Sequence, residues 1–340
     1  MSIDLRRIEA TGTVGRHLLA VTVALGVAAA FGPLPARAGR TAQEGQPVVR
    51  LLDTDDNRDV AVLGTIRVWA SRDAVVSHVL ARRGVVLAGA GRFGVFGDPP
   101  VDADVRSVAF DRAEYKGLRT CRPGDCDFKL SAAEMRSYIT EVDWSSPNAK
   151  QQADEVLRGQ LLRLVTDYRQ RGNAAMPTYD DGPGVRSADA FDAVLAQSAA
   201  TIAEHAPELS GYLTTSPTGR REGAYDFIYW SEERRPRMRP TLTVNHVVAY
   251  APPHRTALVV RKQIYASHYF EAGLEVLAVM DADTPGSAYL VSVRRLRFDY
   301  LPGGILNVRG RVRGYMVDAM RADLTRERAA IERPPATPQR

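Results

Sequence analysis

The sequence predicts an α+β protein: an antiparallel sheet packed on a long C-terminal helix, with a helical insertion ahead of most of the sheet. Three observations carry this. Apolar residues recur at helical spacing between residues 131 and 215. After residue 216 the period falls to two, in five β-branched and aromatic runs separated by turn residues. A last stripe, Val312, Met316, Met320 and Leu324, returns to a spacing of four.

The chain opens with Arg6, Arg7 and Arg16, an apolar run from Leu18 to Ala30, and Ala36-Arg37-Ala38. A basic start, a short apolar middle and an A-x-A end read as a signal peptide over residues 1–38, cleaved before Gly39. The alternative, an uncleaved anchor, fits less well. The run is thirteen residues long, and a spanning helix needs about 20. No cysteine follows the run, so it carries no lipoprotein anchor. The expected location is periplasmic or secreted, with no integral membrane span after cleavage.

Removing residues 1–38 leaves 302 residues, enough for a sizeable core. Four arginines and two acids leave with that segment, which takes the net charge from +5 to +3. Charge this sparse, with no basic stripe among stacking aromatics, argues against a nucleic-acid partner.

Residues 39–130 read as the first part of the core. Gly39 to Gln46 is a polar lead-in, and Val60 to Ala70 a strand rich in β-branched residues. Ser71 caps a helix carrying Val75, Val76, Val79 and Leu80. Gly91 to Pro100 is glycine-rich and reads as loop, and Asp127 to Leu130 as a short strand. Between them lies Cys121-Arg-Pro-Gly-Asp-Cys126. Pro123-Gly124 favours a tight turn, and an even cysteine pair in an oxidising compartment closes into a disulfide. So short a loop stabilises by only about 2 kcal/mol. Zinc is not expected here, because no second Cys/His pair sits at ligand spacing.

Residues 131–215 read as the insertion. Ser131-Ala-Ala-Glu134 is a capping box. Asn148 to Arg171 places Ala153, Val156, Leu157, Leu161, Val165 and Tyr168 on one stripe and stops at Gly172. Tyr179 to Gly184 is a turn cluster. Ser187 caps a helix through Ile202 that Pro207 interrupts, and a short helix is expected at 209–213.

Residues 216–332 read as an antiparallel meander and the final helix. The expected strands are 226–230, 241–250, 257–270, 273–280 and 288–300, and the helix runs from about Ile305 to Glu332. Residues 333–340 read as a disordered tail.

This order of elements resembles the START-like, or helix-grip, fold. The likeness is carried by Val60 to Ala70, Ser71 to Leu80 and 241–332, and the insertion departs from the plain pattern. It implies a curved sheet wrapped on the C-terminal helix with a cavity between them. Cys121 to Cys126, Tyr229-Trp230-Ser-Glu and Arg261 to Tyr269 are also similar to segments of predicted secreted bacterial proteins. That second likeness implies no chemistry.

No G-x-S-x-G, H-E-x-x-H, Walker loop or G-x-G-x-x-G following a strand is present, so no cofactor is expected. The alternation draws attention to the late strands. Leu242, Val244, His246, Val248 and Tyr250 share one face. Leu258, Val260, Lys262, Ile264, Ala266, His268 and Phe270 share another. On the last strand, Arg294 lies with Leu290, Ser292, Leu296 and Phe298. A lysine inside an apolar row must be paired or lose its proton.

Two readings stand. In one, His246, Lys262, His268 and Arg294, with Met316 from the last helix, line an apolar cavity and anchor a ligand. In the other, each polar group is satisfied locally and Met316 is core. A metal site from His246, His268 and Glu271 needs a bend in the chain, and no ligand spacing supports it. Tyr179-Asp180-Asp181 reads as a cap or a weak cation site. Asp226, Glu232 and Glu233 could furnish a carboxylate pair. The leading functional expectation is a protein that binds a small apolar or amphipathic, lipid-like molecule between sheet and helix. The alternatives are a hydrolase using His246 or His268 as base, and an envelope structural or interaction protein.

Overall fold

The computed structural model describes residues 45–81, 91–205, 213, 224–234, 238–252, 256–303 and 307–333. The residues read as a signal peptide, the segment around Pro207, the stretch 209–213 expected as a helix apart from Leu213, and the residues beyond 333 lie outside them.

The chain begins with strands β1 (Val48–Leu52) and β2 (Asp59–Val68), helix α1 (Arg72–Ala81) and the short β3 (Phe93–Val95). Two brief helices follow, α2 (Asp102–Val105) and α3 (Arg112–Leu118), then α4 (Ala132–Glu141) and the long α5 (Ala149–Arg171). A 3-10 turn, Gly172–Ala175, leads into a hairpin of β4 (Thr178–Tyr179) and β5 (Val185–Arg186), and α6 (Ser187–His205). The remainder is β6 (Ala224–Glu233), β7 (Thr241–Tyr250), β8 (Ala257–Ala266), β9 (Phe270–Asp281), β10 (Ala288–Phe298) and α7 (Val308–Ile331).

Eight strands form one antiparallel sheet in the order β1-β2-β10-β9-β8-β7-β6-β3. The α+β class and the packing of the sheet on the C-terminal helix are as the sequence predicts. The arrangement is compatible with a helix-grip-like fold.

Both faces of the sheet are covered. On one, Leu63, Trp230, Val244, Val260 and Leu274 share a core with Leu157 and Leu161 of α5 and Phe191 of α6. On the other, Val62, Ile66, Val259, Val279 and Leu290 meet Val75 and Val79 of α1 and Met316, Met320 and Leu324 of α7. Each buried aliphatic side chain is worth about 1.5–3 kcal/mol. The central strands therefore alternate between two apolar layers, and polar residues on them must find partners inside the protein.

Several local expectations change. Asp127 to Leu130 is not a strand. β1, β3, α2 and α3 were not expected. Their few residues are too short for a periodic signal, and β3 lies inside the stretch read as loop. β8 ends at Ala266, where the sequence predicted a run to Phe270. Opposite β7, Val244 faces Tyr265 while Asn245 faces Gln263, which leaves Ile264 as an extra residue. That bulge reverses the alternation. Ile264 and Tyr265 both join the insertion-side core, and Ala266 joins the α7 side. His268 then falls in the turn to β9, beside Tyr269 with φ of 64°.

α7 lies close across β2 because Gly64 has no side chain. A Cβ there would stand 2.6 Å from Leu324 Cδ1 and 2.7 Å from Met320 Cγ. Gly64→Val should therefore lift α7 from the sheet and cost about 1–3 kcal/mol in urea unfolding. An unchanged midpoint would show that α7 has room to move.

Candidate functional site

A cleft of about 380 Å³ opens where residues 108–128 and Leu157 of α5 meet the β6 and β7 end of the sheet. Small-molecule sites commonly span about 300–1,000 Å³. Its apolar wall is Phe110, Phe128, Leu157, Trp230 and Leu242. Phe110 and Phe128 pack edge to face at 5.1 Å. The backbone N–H of Phe110 donates to Asp154 of α5 at 2.9 Å, which pins the approach to α3. Trp230 is fixed as well, because its Nε1 donates to the Asp104 carbonyl at 2.8 Å. Gly94 leaves space for that ring: a Cβ there would lie 2.5 Å from Trp230 Nε1.

The mouth holds Arg92, Glu232 and Arg234. Glu232 Oε2 accepts from Nε of Arg92 at 3.1 Å and also from its Nη2. Oε1 accepts from Nε and Nη2 of Arg234 at 3.0 and 2.8 Å. Arg92 Nη1 also donates to the Ser107 carbonyl at 2.8 Å. Burial pushes the Glu232 carboxyl up, but the hydrogen bonds from Arg92 and Arg234 outweigh it and hold the group below its ordinary value. Pairing β3 with β6 sets this cluster, since the Glu232 N–H donates to the Arg92 carbonyl at 2.8 Å.

The far side of the cleft is the start of α3. Asp111 Oδ1 caps the helix, accepting from Ala113 N at 2.7 Å and Glu114 N at 2.8 Å. Glu114 Oε2 accepts from the Asp111 N–H at 2.8 Å. Its other oxygen lies 3.0 Å from His268 Nε2, while His268 Nδ1 lies 2.7 Å from the Asp127 carbonyl. Both ring nitrogens thus face acceptors. The Asp127 carbonyl can only accept, so Nδ1–H donates to it. Of the candidate site residues singled out from the sequence, Glu232 lines the mouth of the cleft, and His268 adjoins it through Glu114 and the ring of Phe128 at 5.2 Å.

His246 and Lys262 are brought together elsewhere, as direct cross-strand partners on β7 and β8. They lie beneath α5 and α6. His246 Nδ1 accepts from Tyr168 OH at 3.1 Å, and its Nε2–H donates to Asp226 at 3.2 Å. Burial lowers the His246 pKa against the raising effect of Asp226. Lys262, 2% exposed, donates to Asn173 Oδ1, and its Nζ lies 4.4 Å from the Phe191 ring centre and 5.0 Å from that of Tyr168. Burial lowers its pKa to about 7, opposed by Asp192. The apolar row that made Lys262 conspicuous in the sequence is the row facing the insertion.

Arg294 and Met316 lie on the opposite face of the sheet, toward α7. Glu275, 1% exposed, accepts from Arg261 Nη2 at 2.7 Å, Arg294 Nη2 at 3.0 Å and Ser292 Oγ at 3.2 Å. Arg294 also reaches Asp323 of α7 at 2.9 Å. Met316 is buried with Met320 and Leu324. A void of about 10 Å³ beside this network has room for one water at most.

The remaining candidate acids and the two cysteines have local partners. Asp180 Oδ2 accepts from Ala132 N at 2.7 Å and so caps α4, and Asp181 pairs with Lys129 at 3.2 Å. Glu271 pairs with Arg58 at 3.1 Å, apart from both histidine groups. Cys121 and Cys126 are within disulfide distance. Among the described residues, no group of three or more His, Cys, Asp or Glu is arranged to hold a metal ion. None of their helices is long and apolar enough to cross a membrane.

Arg92, Phe110, Glu114 and Arg234 were not anticipated as site residues. Asp111-Arg-Ala-Glu114 is a capping signature, and it marks the start of α3. No sequence signal joins it to Arg92 or Arg234. Compared with known proteins, the chain matches no family model and no curated protein.

Lys262 yields a pH test. With its folded pKa near 7 against an ordinary lysine value of 10.5, the unfolded chain binds the extra proton between those limits. Folding stability should therefore rise with pH across that window, by up to about 1.4 kcal/mol per pH unit, and stay flat below it. Lys262→Met should remove this rise. Urea unfolding of both proteins from pH 6 to 10 checks it, and parallel profiles would show that Lys262 keeps its proton when folded.

Proposed function

We propose that the protein binds a small apolar or amphipathic molecule in the cleft between α3, α5 and the β6–β7 end of the sheet, and acts outside the cytoplasm. One observation carries the reading: a cleft of about 380 Å³ with an aromatic and aliphatic wall and a few convergent polar groups at its rim. Most of its polar atoms are held by neighbours, so the wall is preorganised and little ordering is required on binding.

The START-like resemblance belongs to the same proposal, with the ligand space moved. The grip between sheet and α7 is filled by packed side chains and the Glu275 network, while the cleft lies on the opposite face. The extracytoplasmic location rests on the leader-like opening and is supported by the Cys121–Cys126 pair at disulfide distance.

The histidine-hydrolase reading is supported less well. A general base needs a nitrogen within reach of the proton it removes. Both nitrogens of His246, and both of His268, already face protein partners.

The test uses N-phenyl-1-naphthylamine, a neutral dye that fluoresces when it leaves water. The mature protein should bind it saturably, with energy transfer from tryptophan. Ala109→Trp, which places a bulky ring in the cleft, should weaken binding by about tenfold or more with unchanged circular dichroism. Absence of saturable fluorescence, or equal binding by the variant, would overturn the proposal.

A further inference from the structure

The mouth of the cleft carries more hydrogen-bond donors than acceptors. An ionised carboxylate offers about four acceptor sites and a guanidinium five N–H groups. Glu232 receives two N–H groups from Arg92 and two from Arg234, which fills it. Arg92 spends one more on Ser107. Both guanidiniums keep N–H groups beyond these, and the two cations share one anion.

Position points the same way. The Glu232 side chain is 12% exposed, whereas those of Arg92 and Arg234 are 50% and 70% exposed. An entering molecule meets the guanidiniums first, with the carboxylate set back behind them. The other acids facing the cleft are engaged: Asp111 caps α3, and Glu114 is held by Asp111 N and His268. Beneath the arginines the wall is apolar.

We infer that the molecule bound in the cleft is an anion with an apolar body, its charged end taken by Arg92 and Arg234 in partial exchange for Glu232. This deepens the binding reading and rests on it. Glu232 acts as an internal stand-in for the ligand's oxyanion. It keeps the two guanidiniums converged when the cleft is empty and competes weakly when it is filled. Carboxylate, sulfonate and phosphate monoester share the needed chemistry, which is a planar or tetrahedral set of acceptors facing a donor fork.

The neutral naphthylamine and its sulfonated relative, 1-anilinonaphthalene-8-sulfonate, share an aromatic body and differ by one negative charge. The sulfonate should bind about tenfold tighter. Arg234→Gln should bring the ratio of the two affinities toward one. Glu232→Gln, which removes the competing anion, should raise it, an outcome that mere loss of folding does not produce. Equal affinities in the unaltered protein would overturn the anion inference and leave the binding reading standing. Failure of both dyes to bind would overturn both. Decanoate, decyl phosphate and decanol, used as competitors, then separate the sources. Either anion displacing the dye well ahead of decanol supports the inference and names the headgroup, whereas equal displacement by decanol counts against it.

Discussion

A carboxylate buried in the middle of a sheet has to be answered by cations, and Glu275 is that carboxylate. It lies on β9, the strand flanked by β8 and β10, and both neighbours supply a guanidinium. Arg294 extends the network to Asp323, so the position of α7 is tied to the sheet. Removing one member of such a group costs about 3–5 kcal/mol, because the others stay buried without compensation. The network need not add net stability over an apolar core. It makes any other placement of α7 or register of β8, β9 and β10 costly, since a shift separates the charges.

Covering the sheet on both faces decides where a ligand could sit. On the α7 side, Gly64 lets the helix approach closely and the charged network fills what is left. On the other side the insertion covers the centre of the sheet with α5 and α6. Toward β6 and β3 the cover consists of short pieces, α2, α3 and the segment after the disulfide. Short elements leave gaps that long helices close. The cleft is such a gap, bounded by the paired strands at the β6–β3 edge and the first turn of α3.

Some of this was legible in the sequence. The α+β class followed from a change of period that no turn or loop residue can hide, and the bounds of β7 follow its alternation directly. The Ser131 capping box and the Pro123-Gly124 turn act over a few residues and need no tertiary information. Lys262 stood out as a lysine in an apolar row, and its depressed pKa follows from that row being buried.

The rest depended on layers. In a sheet covered on both sides each alternating set is apolar, so parity groups His246 with Val244 and Arg294 with Leu296 without saying which set faces which helix. The bulge at Ile264 reversed the parity, and no residue there announces it. The cleft was hidden for another reason. Arg92, Glu114 and Arg234 are far apart in sequence, and they line one opening because β3 pairs with β6 while Asp154 of α5 holds the approach to α3. Sequence alone determined the periods, caps and turns, because these are set by neighbours within a few residues. Only the tertiary structure decided which layer each face entered, and which charges shared one opening, because both are settled by packing between distant segments.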